Sequence, residues 1–589
     1  MPVIVADILC GRPDGLGQRR RTATLWPGQR RSMISFSVAT ATTSRRSREI
    51  PDSLLHELKL NLVARNVSRG MALLDANTGL IASLDPAQPN AAGLAAYVAQ
   101  WVDVGYRQPG MVEAILGHFP KEARSRLPVG DYLQLRMAEG ALALAQDRPD
   151  DARFHFDFVL SLQEEIHDRA LVSLAHYWNA RCHRRKGEYD DALRHTASAR
   201  SLALELGFER MAAVMQVLES WLHFQKGARR EAMQLLDQSE EVLRHTDDHI
   251  TLGNIYSARG RMIRRKGQYK EALELYSQAI QHFKKRSSVH NNLARSLANI
   301  AHVQRLIALE ISRQIDAAQA RRVRKSAGRP AEGGKWQDQR DQCEWYRAQA
   351  FANLDQAEDI YRKNHQHHGI GNVYENRGLL HLDTGELDQA AAQADLVYKM
   401  GREARDYILM ARGRQLQCAI GLAKLEEGIE DDSHSWEIAN QARDYARQAV
   451  EAARHTQNQR LLARAYVWAG LSAGNALIDD LADAKHYYEL TNSLLRAVDY
   501  EDQWEELQRL REMVDARGNV NAQLRAWSQG NTGGKSFQQM TEQFAEIIIP
   551  VVWKNEKQKI ARVATRLRIS PKKVRRILIK LGLLKNKNA

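Results

Sequence analysis

Five cations crowd a ten-residue stretch near the C-terminus: Lys572, Lys573, Arg575, Arg576 and Lys580. Side chains of this kind hold polyanions, Lys as a point charge and Arg as a planar fork that fits phosphate or the guanine edge. Around them Ile560, Val563, Ala564 and Leu567 recur at helical spacing, as do Val574, Ile577, Leu578 and Leu581. Ser570 suits an N-cap, and Pro571 suits the first helical position, where a missing N–H costs nothing. The spacing predicts two short helices meeting at a tight corner, the second apolar on one face and cationic on the other. A cationic helix held at a fixed angle by a supporting helix is the geometry that enters a DNA major groove.

A second set of cations lies upstream. The tetrapeptide RRKG occurs at Arg184–Gly187 and again at Arg264–Gly267, eighty residues later. With their helical neighbours these give two basic patches, Arg181/Arg184/Arg185 and Arg261/Arg264/Arg265. Trp221 and Phe224 occupy the equivalent face between them. Together they could form a groove for an acidic peptide or another anionic ligand. The competing reading is structural, since Lys and Arg near a helix C-terminus complement its dipole and dangling carbonyls, and the aromatics can simply pack.

Other candidates fall away on spacing. Asn364 to His368 is the densest histidine cluster, but it sits on one short segment, whereas metal ligands converge from several elements. His176, Cys182 and His183 follow one helix, and the last two point apart. Gly534-Lys535-Ser536 lacks the glycine a phosphate loop requires five residues earlier, where Gln529 stands, and no apolar strand precedes it. No nucleophile–base pair and no HExxH or GxSxG is present. Neither enzyme activity, nor a metal, nor a cofactor is expected.

The elements that must position these residues read as helices throughout. The net charge of +14 is uneven: residues 1–50 carry +6 and residues 554–589 carry +12, leaving −4 for the long middle. Such asymmetry implies a local polyanion site at the end of the chain. The four cysteines are scattered without a CxxC, which suits a reducing cytosol. No apolar run is long enough to span a bilayer, so no membrane partner is expected. Residues 1–50, rich in Arg, Ser, Thr and Gly, read as a disordered basic tail, as residues upstream of a true start at Met33, or as a transit peptide.

A repeat organises the middle. A turn residue recurs every forty positions, at Asp147, Gly187, Gly227 and Gly267. Around the turns, mostly small residues keep offsets of twelve and seven, as in Ala180/Ala192/Ala199 and Gly260/Ala272/Ala279, and a later copy, Asn299/Ala350/Ala357, keeps the offset of seven across an insertion. This pattern resembles the tetratricopeptide repeat over roughly 130–500, most plainly in GRMIRRKGQYKEALELYSQAI (260–280). The resemblance implies an all-α, TPR-like solenoid of helical hairpins whose first helices line a concave surface. The forty-residue period departs from the usual thirty-four and implies longer helices or loops. Residues 51–129 read as an atypical helical start. An insertion at 312–342 separates the two helices of one repeat, and 518–536 reads as a flexible linker.

Residues 537–589 then read as a small helical domain, in which Pro550 is expected to kink or divide the leading helix. The pair at its end is similar to the Fis-type helix-turn-helix. Val563 and Ala564 take the paired small positions, and Arg576, Leu578, Leu581 and Gly582 match the closing segment. Arg568 stands where that family has its turn glycine, and Lys573 where it has Thr. The resemblance implies double-stranded DNA as a partner of Lys572, Lys573, Arg575, Arg576 and Lys580. Because such modules commonly bind paired half-sites, a homodimer is among the expected assemblies. The expectation is a cytoplasmic transcriptional regulator whose array binds a protein, peptide or small ligand. The alternative is an interaction scaffold whose basic tail binds RNA or an acidic partner.

Overall fold

The computed structural model describes residues 49–107, 109–325, 334–428, 432–496, 505–518, 533–556, 558–581 and 583–584, with 527 and 530. The basic stretch 1–48 and most of the 518–536 linker lie outside the described residues. Among those described, every regular element is a helix.

The chain from 50 to 128 folds into six short helices: α1 (Asp52–Val63), α2 (Val67–Ala76), α3 (Thr78–Ala82), α4 (Ala91–Asp103), α5 (Pro109–Gly117) and α6 (Lys121–Arg124). Their apolar faces meet around Leu58, Leu74, Leu94 and Trp101, all of them buried. Eight hairpins follow. They are α7 (Val129–Ala145) with α8 (Pro149–Ser161), α9 (Arg169–Lys186) with α10 (Tyr189–Glu205), α11 (Glu209–Lys226) with α12 (Arg229–Leu243), and α13 (His249–Arg265) with α14 (Tyr269–Arg286). Next come α15 (Asn291–Lys325) with α16 (Gly334–Lys363), α17 (His367–Asp383) with α18 (Leu387–Ala404), α19 (Tyr407–Glu427) with α20 (Asp432–Arg454), and α21 (Gln459–Ala473) with α22 (Leu481–Arg496). Helix α23 (Glu505–Gly518) covers the last hairpin, burying Leu510 where Gly470 leaves room.

The forty-residue turns share one backbone conformation. Asp147, Gly187, Gly227 and Gly267 all have positive φ, between 62° and 93°, the left-handed conformation that ends a helix and reverses the chain. The small positions are where paired helices touch: Ala152, Ala180, Ala192, Ala199, Ala272 and Ala279 are fully buried. Asn299 breaks the pattern. It is only part-buried and faces the interior of the array, whereas Ala350 and Ala357 of the same set are fully buried.

Close approach to backbone is tight at Gly413 on α19, where a Cβ would lie 2.8 Å from the Tyr398 backbone nitrogen on α18. Backbone cannot move aside as a side-chain tip can. Gly413→Ala is therefore expected to cost about 1–3 kcal/mol, read as a lowered Tm with helical content retained at 20 °C.

Residues 312–325 and 334–342 of the insertion extend α15 and α16, which run 35 and 30 residues, and 326–333 lie outside the described residues. One expectation needs correcting. Pro550 does not divide the helix that holds it. The three C-terminal helices are α24 (Phe537–Asn555), α25 (Ile560–Leu567) and α26 (Pro571–Lys580), and α24 passes through Pro550 unbroken.

First helices stack on first helices: α7 on α9, α11 on α13, and then α13, α15, α17 and α19 each on the next. The stack winds until hairpins far apart in sequence touch. Asp147 accepts from the backbone N–H of His368 at 2.7 Å, and Gln366 donates to the carbonyl of Ala145 at 2.5 Å. The Gln457 N–H donates to the Gly187 carbonyl at 2.8 Å, and Asn458 donates to the Tyr189 hydroxyl at 3.1 Å. On the other side, Arg65 and Asp248 form a buried ion pair at 2.7 Å, while the N–H groups of Val67 and Ser68 donate to Asp247. The concave surface is thereby closed into a channel.

Candidate functional site

The first helices enclose a channel of about 1510 Å³. Sixteen Arg and Lys against seven Asp and Glu line it. The middle of the chain is slightly acidic in total, so its cations have been gathered inward.

Arg181, Arg184 and Arg185 from α9 line this channel with Arg261, Arg264 and Arg265 from α13, and Trp221 from α11 lies between them. Phe224 does not join them. It is 1% exposed and packs into the core with Leu236, Ile255 and Met262, and the guanidinium groups of Arg265 and Arg460 lie over its ring at 4.2 and 4.9 Å. Trp221 meets the Arg184 guanidinium at 5.2 Å and the edge of Tyr189 at 5.5 Å.

The arginines divide by partner. Arg181 is held bidentately by Asp103 at 2.7 Å and stacks on Trp178 at 4.4 Å. Arg185 pairs with Asp147 and donates to Gln366 at 3.0 Å. Burial alone would raise the Asp147 carboxyl, yet Arg185 and the His368 N–H hold it below the usual range. These are struts that join parts of the array. Arg184 differs, because its Nε is shielded without a partner while the residue is only part-buried and lines the channel. Burial, with repulsion from Arg295, Arg181 and Arg185, pushes it down to about 9. Arg295 on α15 is pushed down to about 10 by burial and by Arg261, Arg185 and Arg181. Arg261 is lowered by burial as well.

Residues that a search for tandem basic motifs does not find complete the lining. Arg295, Asn299 and His302 stand at i, i+4 and i+7 on α15 and form a polar stripe along the channel. That spacing was the available signal. Arg295 donates to Asn254 at 2.8 Å, and His302 lies 3.0 Å from the Asn376 amide oxygen. Burial pushes His302 far below the ordinary histidine range, so it is neutral.

The histidine cluster has a structural position. His368 Nδ1 lies 2.5 Å from Asp406, and the same carboxylate caps α19 through the N–H groups of Ile408 and Leu409. Burial would raise the Asp406 carboxyl, but His368 and the capping bond bring it down to about 2. A carboxyl depressed on folding stabilises fully above its unfolded value near 4. The contribution is lost as pH falls through the folded value. Lowering pH from 5 to 2 is expected to remove about 2–3 kcal/mol from this cap. Asp406→Asn should be less stable at neutral pH and have a flatter urea midpoint across that range.

Among the described residues one group brings three metal-type ligands together: His183, Glu188 and Asp191, with ligand atoms within 4.8 Å. His183 Nδ1 is already engaged by Glu188 at 2.6 Å. His176 and His195 lie beside it, Nδ1 to Nδ1 at 2.9 Å, and burial with His176 and His183 pushes His195 down to about 4. Cys182 is buried, and its thiol is pushed up by burial.

At the C-terminus, Ser570 caps α26 by accepting from the Lys573 N–H at 3.2 Å, and Pro571 opens the helix. Val563, Ala564, Val574, Ile577 and Leu578 are buried against Ile549 of α24. The corner turns on Arg568, which adopts the left-handed conformation at φ 52°. The five cations are not equivalent. Arg576 pairs with Glu542 at 2.6 Å and Lys580 with Glu546 at 2.5 Å, both on α24. Among the described residues, no ion pair engages Lys572, Lys573 or Arg575.

No helix among the described residues is long and apolar enough to cross a membrane. No family model matches the chain, and no curated protein does. Solved structures of helical-repeat proteins do align. The crystal structure of Rap protein complexed with competence and sporulation factor covers 68% of this chain and 98% of its own, at 12% identity and a TM-score of 0.48. The apo form of the quorum sensor NprR from B. thuringiensis covers 75% and 98%, at 13% and 0.37. NprR in complex with its cognate peptide NprX covers 56% and 82%, at 16% and 0.38. These likenesses are distant, and the all-α, TPR-like solenoid described above stands on its own hairpins and turns.

Proposed function

We propose that this chain is a cytoplasmic DNA-binding regulator, not an enzyme, in which a Fis-type helix-turn-helix reads duplex DNA and the array channel binds a protein, peptide or small ligand. The observation that carries it is the face of α26. A capped helix fixed on α24 and α25 presents Lys572, Lys573 and Arg575 without carboxylate partners among the described residues. Arg576 and Lys580 add to that face, since an exposed pair with Glu542 or Glu546 exchanges readily for a phosphate. The channel supports a ligand of extended shape. Its lining carries five Asn amides, of which Asn254, Asn372 and Asn376 already bond within the array, while Asn292 and Asn299 present the paired donor and acceptor that a peptide backbone matches.

The test is titration of the full chain with duplex DNA at several salt concentrations, in parallel with single-stranded RNA of equal length. The expected result is preference for duplex DNA and an affinity that falls steeply with salt. Absence of DNA affinity even at low salt, or a preference for RNA, would overturn the reading in favour of a scaffold with a basic tail.

A further inference from the structure

Buried N–H donors without acceptors mark a place in the channel that the array does not complete by itself. The Nε atoms of Arg184, Arg261 and Arg295 and the Nδ2 of Asn299 are all shielded and have no hydrogen-bond partner. They come from α9, α13 and α15, three separate first helices, and all four residues line the channel. A native interior leaves few such donors, because each costs the desolvation of an unsatisfied polar group.

The carboxylates nearby are already committed. Asp103 takes both arms of Arg181, Asp147 holds Arg185, Asp383 takes both arms of Arg305 at 2.5 and 2.8 Å, and Glu375 pairs with Arg412 at 3.0 Å. Among the described residues, none forms an ion pair with Arg184, Arg261 or Arg295. The neighbouring phenols do not supply the missing charge either. Burial pushes both Tyr189 and Tyr361 up to about 12, so they stay protonated. Three like charges thus remain together in a shielded cavity, where their repulsion is stronger than it would be in water.

We infer that Arg184, Arg261 and Arg295, with the Asn299 amide, form a built oxyanion site that takes a phosphate or carboxylate group of the channel's ligand. The chemistry matches the donor set. Guanidinium forks bind both groups through charge-assisted hydrogen bonds, and the Asn299 amide supplies a neutral donor beside them. Trp221 gives Arg184 a flat wall, and Asn254 fixes Arg295, so two of the forks are oriented before any anion arrives. The inference rests on reading the channel as a ligand site, but it is independent of whether α26 binds DNA.

The full chain is titrated with pyrophosphate and, in a second arm, with citrate. Each is compared with NaCl at equal ionic strength, by calorimetry and by thermal unfolding. A saturable rise in Tm that chloride does not reproduce is expected, and the tighter arm identifies phosphate or carboxylate as the preferred group. Arg184→Gln and Arg295→Gln should each weaken the anion about tenfold or more. Each should also leave the anion-free Tm unchanged or higher, because each relieves repulsion. Arg295→Lys, which keeps the charge but not the fork, should retain part of the response and serves if a Gln variant does not fold. Neither arm saturating, or the double Arg184→Gln/Arg295→Gln variant responding like the wild type, would overturn the inference. So would a fall in anion-free Tm on neutralising these arginines, which is the behaviour of a strut. Failure of DNA binding with the anion response intact would defeat the regulator reading and leave this site standing.

Discussion

Arg65→Ala is expected to lower stability by about 3–5 kcal/mol, the largest effect of any single substitution in the array. Arg65 and Asp248 are 4% and 0% exposed at their side chains, and their charged atoms lie 2.7 Å apart across 183 residues of sequence. Removing the cation leaves a fully buried carboxylate without its counter-charge. Asp248 also caps α13 through the Thr251 N–H, so its disturbance reaches a channel-lining helix. Loss of the pair should release the contact between the 65–68 turn and the 247–249 loop, since the Val67 and Ser68 bonds to Asp247 occupy the same seam. Urea unfolding followed by circular dichroism would show the shift. The double variant Arg65→Met/Asp248→Leu should recover much of the loss, because replacing both charges removes the uncompensated one. A single-variant loss under about 1 kcal/mol would mean that the pair is solvated and not buried.

The second large effect concerns binding. Lys572→Ala/Lys573→Ala/Arg575→Ala is expected to weaken duplex DNA by about a hundredfold or more at low salt, with no change in Tm of the full chain. None of the three side chains contributes to the core of Val563, Val574, Ile577 and Leu578, so the fold should not register their loss. Each phosphate contact removed should reduce the slope of log affinity against log salt by roughly 0.9. A side chain that reads a base edge would instead relax discrimination between sequences at unchanged slope. Arg575 is the one of the three able to make a bidentate base contact. Comparing specific with random duplexes therefore separates its role from that of the two lysines. An unaltered slope in the triple variant would place the DNA-binding surface elsewhere.

Much of the fold was legible locally. The left-handed turns at Asp147, Gly187, Gly227 and Gly267 announced themselves as a forty-residue recurrence, because few residues tolerate that backbone and hairpins need it at the same place. The buried small positions were legible for the same reason, since two helices can approach only where side chains are short. The exception is instructive. Asn299 was placed in the set across the insertion, yet it faces the channel, while Ala350 and Ala357 on α16 keep the buried positions.

The sites were less legible. Five cations near residue 576 were visible as a charged helical face, but their pairing with α24 was not. Glu542 and Glu546 lie 34 residues from Arg576 and Lys580, on a helix whose packing angle no local pattern encodes. The corner at Arg568 was likewise open, since a non-glycine residue stands where a left-handed conformation is required. Tertiary packing holds it there against a cost of about 1–2 kcal/mol. Phe224 shows the same limit in the channel. Its place in the helical pattern matched that of a groove residue, but it packs in the core cluster with Leu236, Ile255 and Met262, and Arg265 and Arg460 lie over its ring.

By itself, the amino-acid sequence determined the helices, the turns between them and the concentration of charge at the C-terminus, because these depend on neighbours within a few residues. Which arginines are struts and which are left without a counter-charge was decided by tertiary structure alone. Arg181 and Arg184 are one helical turn apart and chemically identical. Only the winding of the array brings Asp103 to the first and Arg295 near the second.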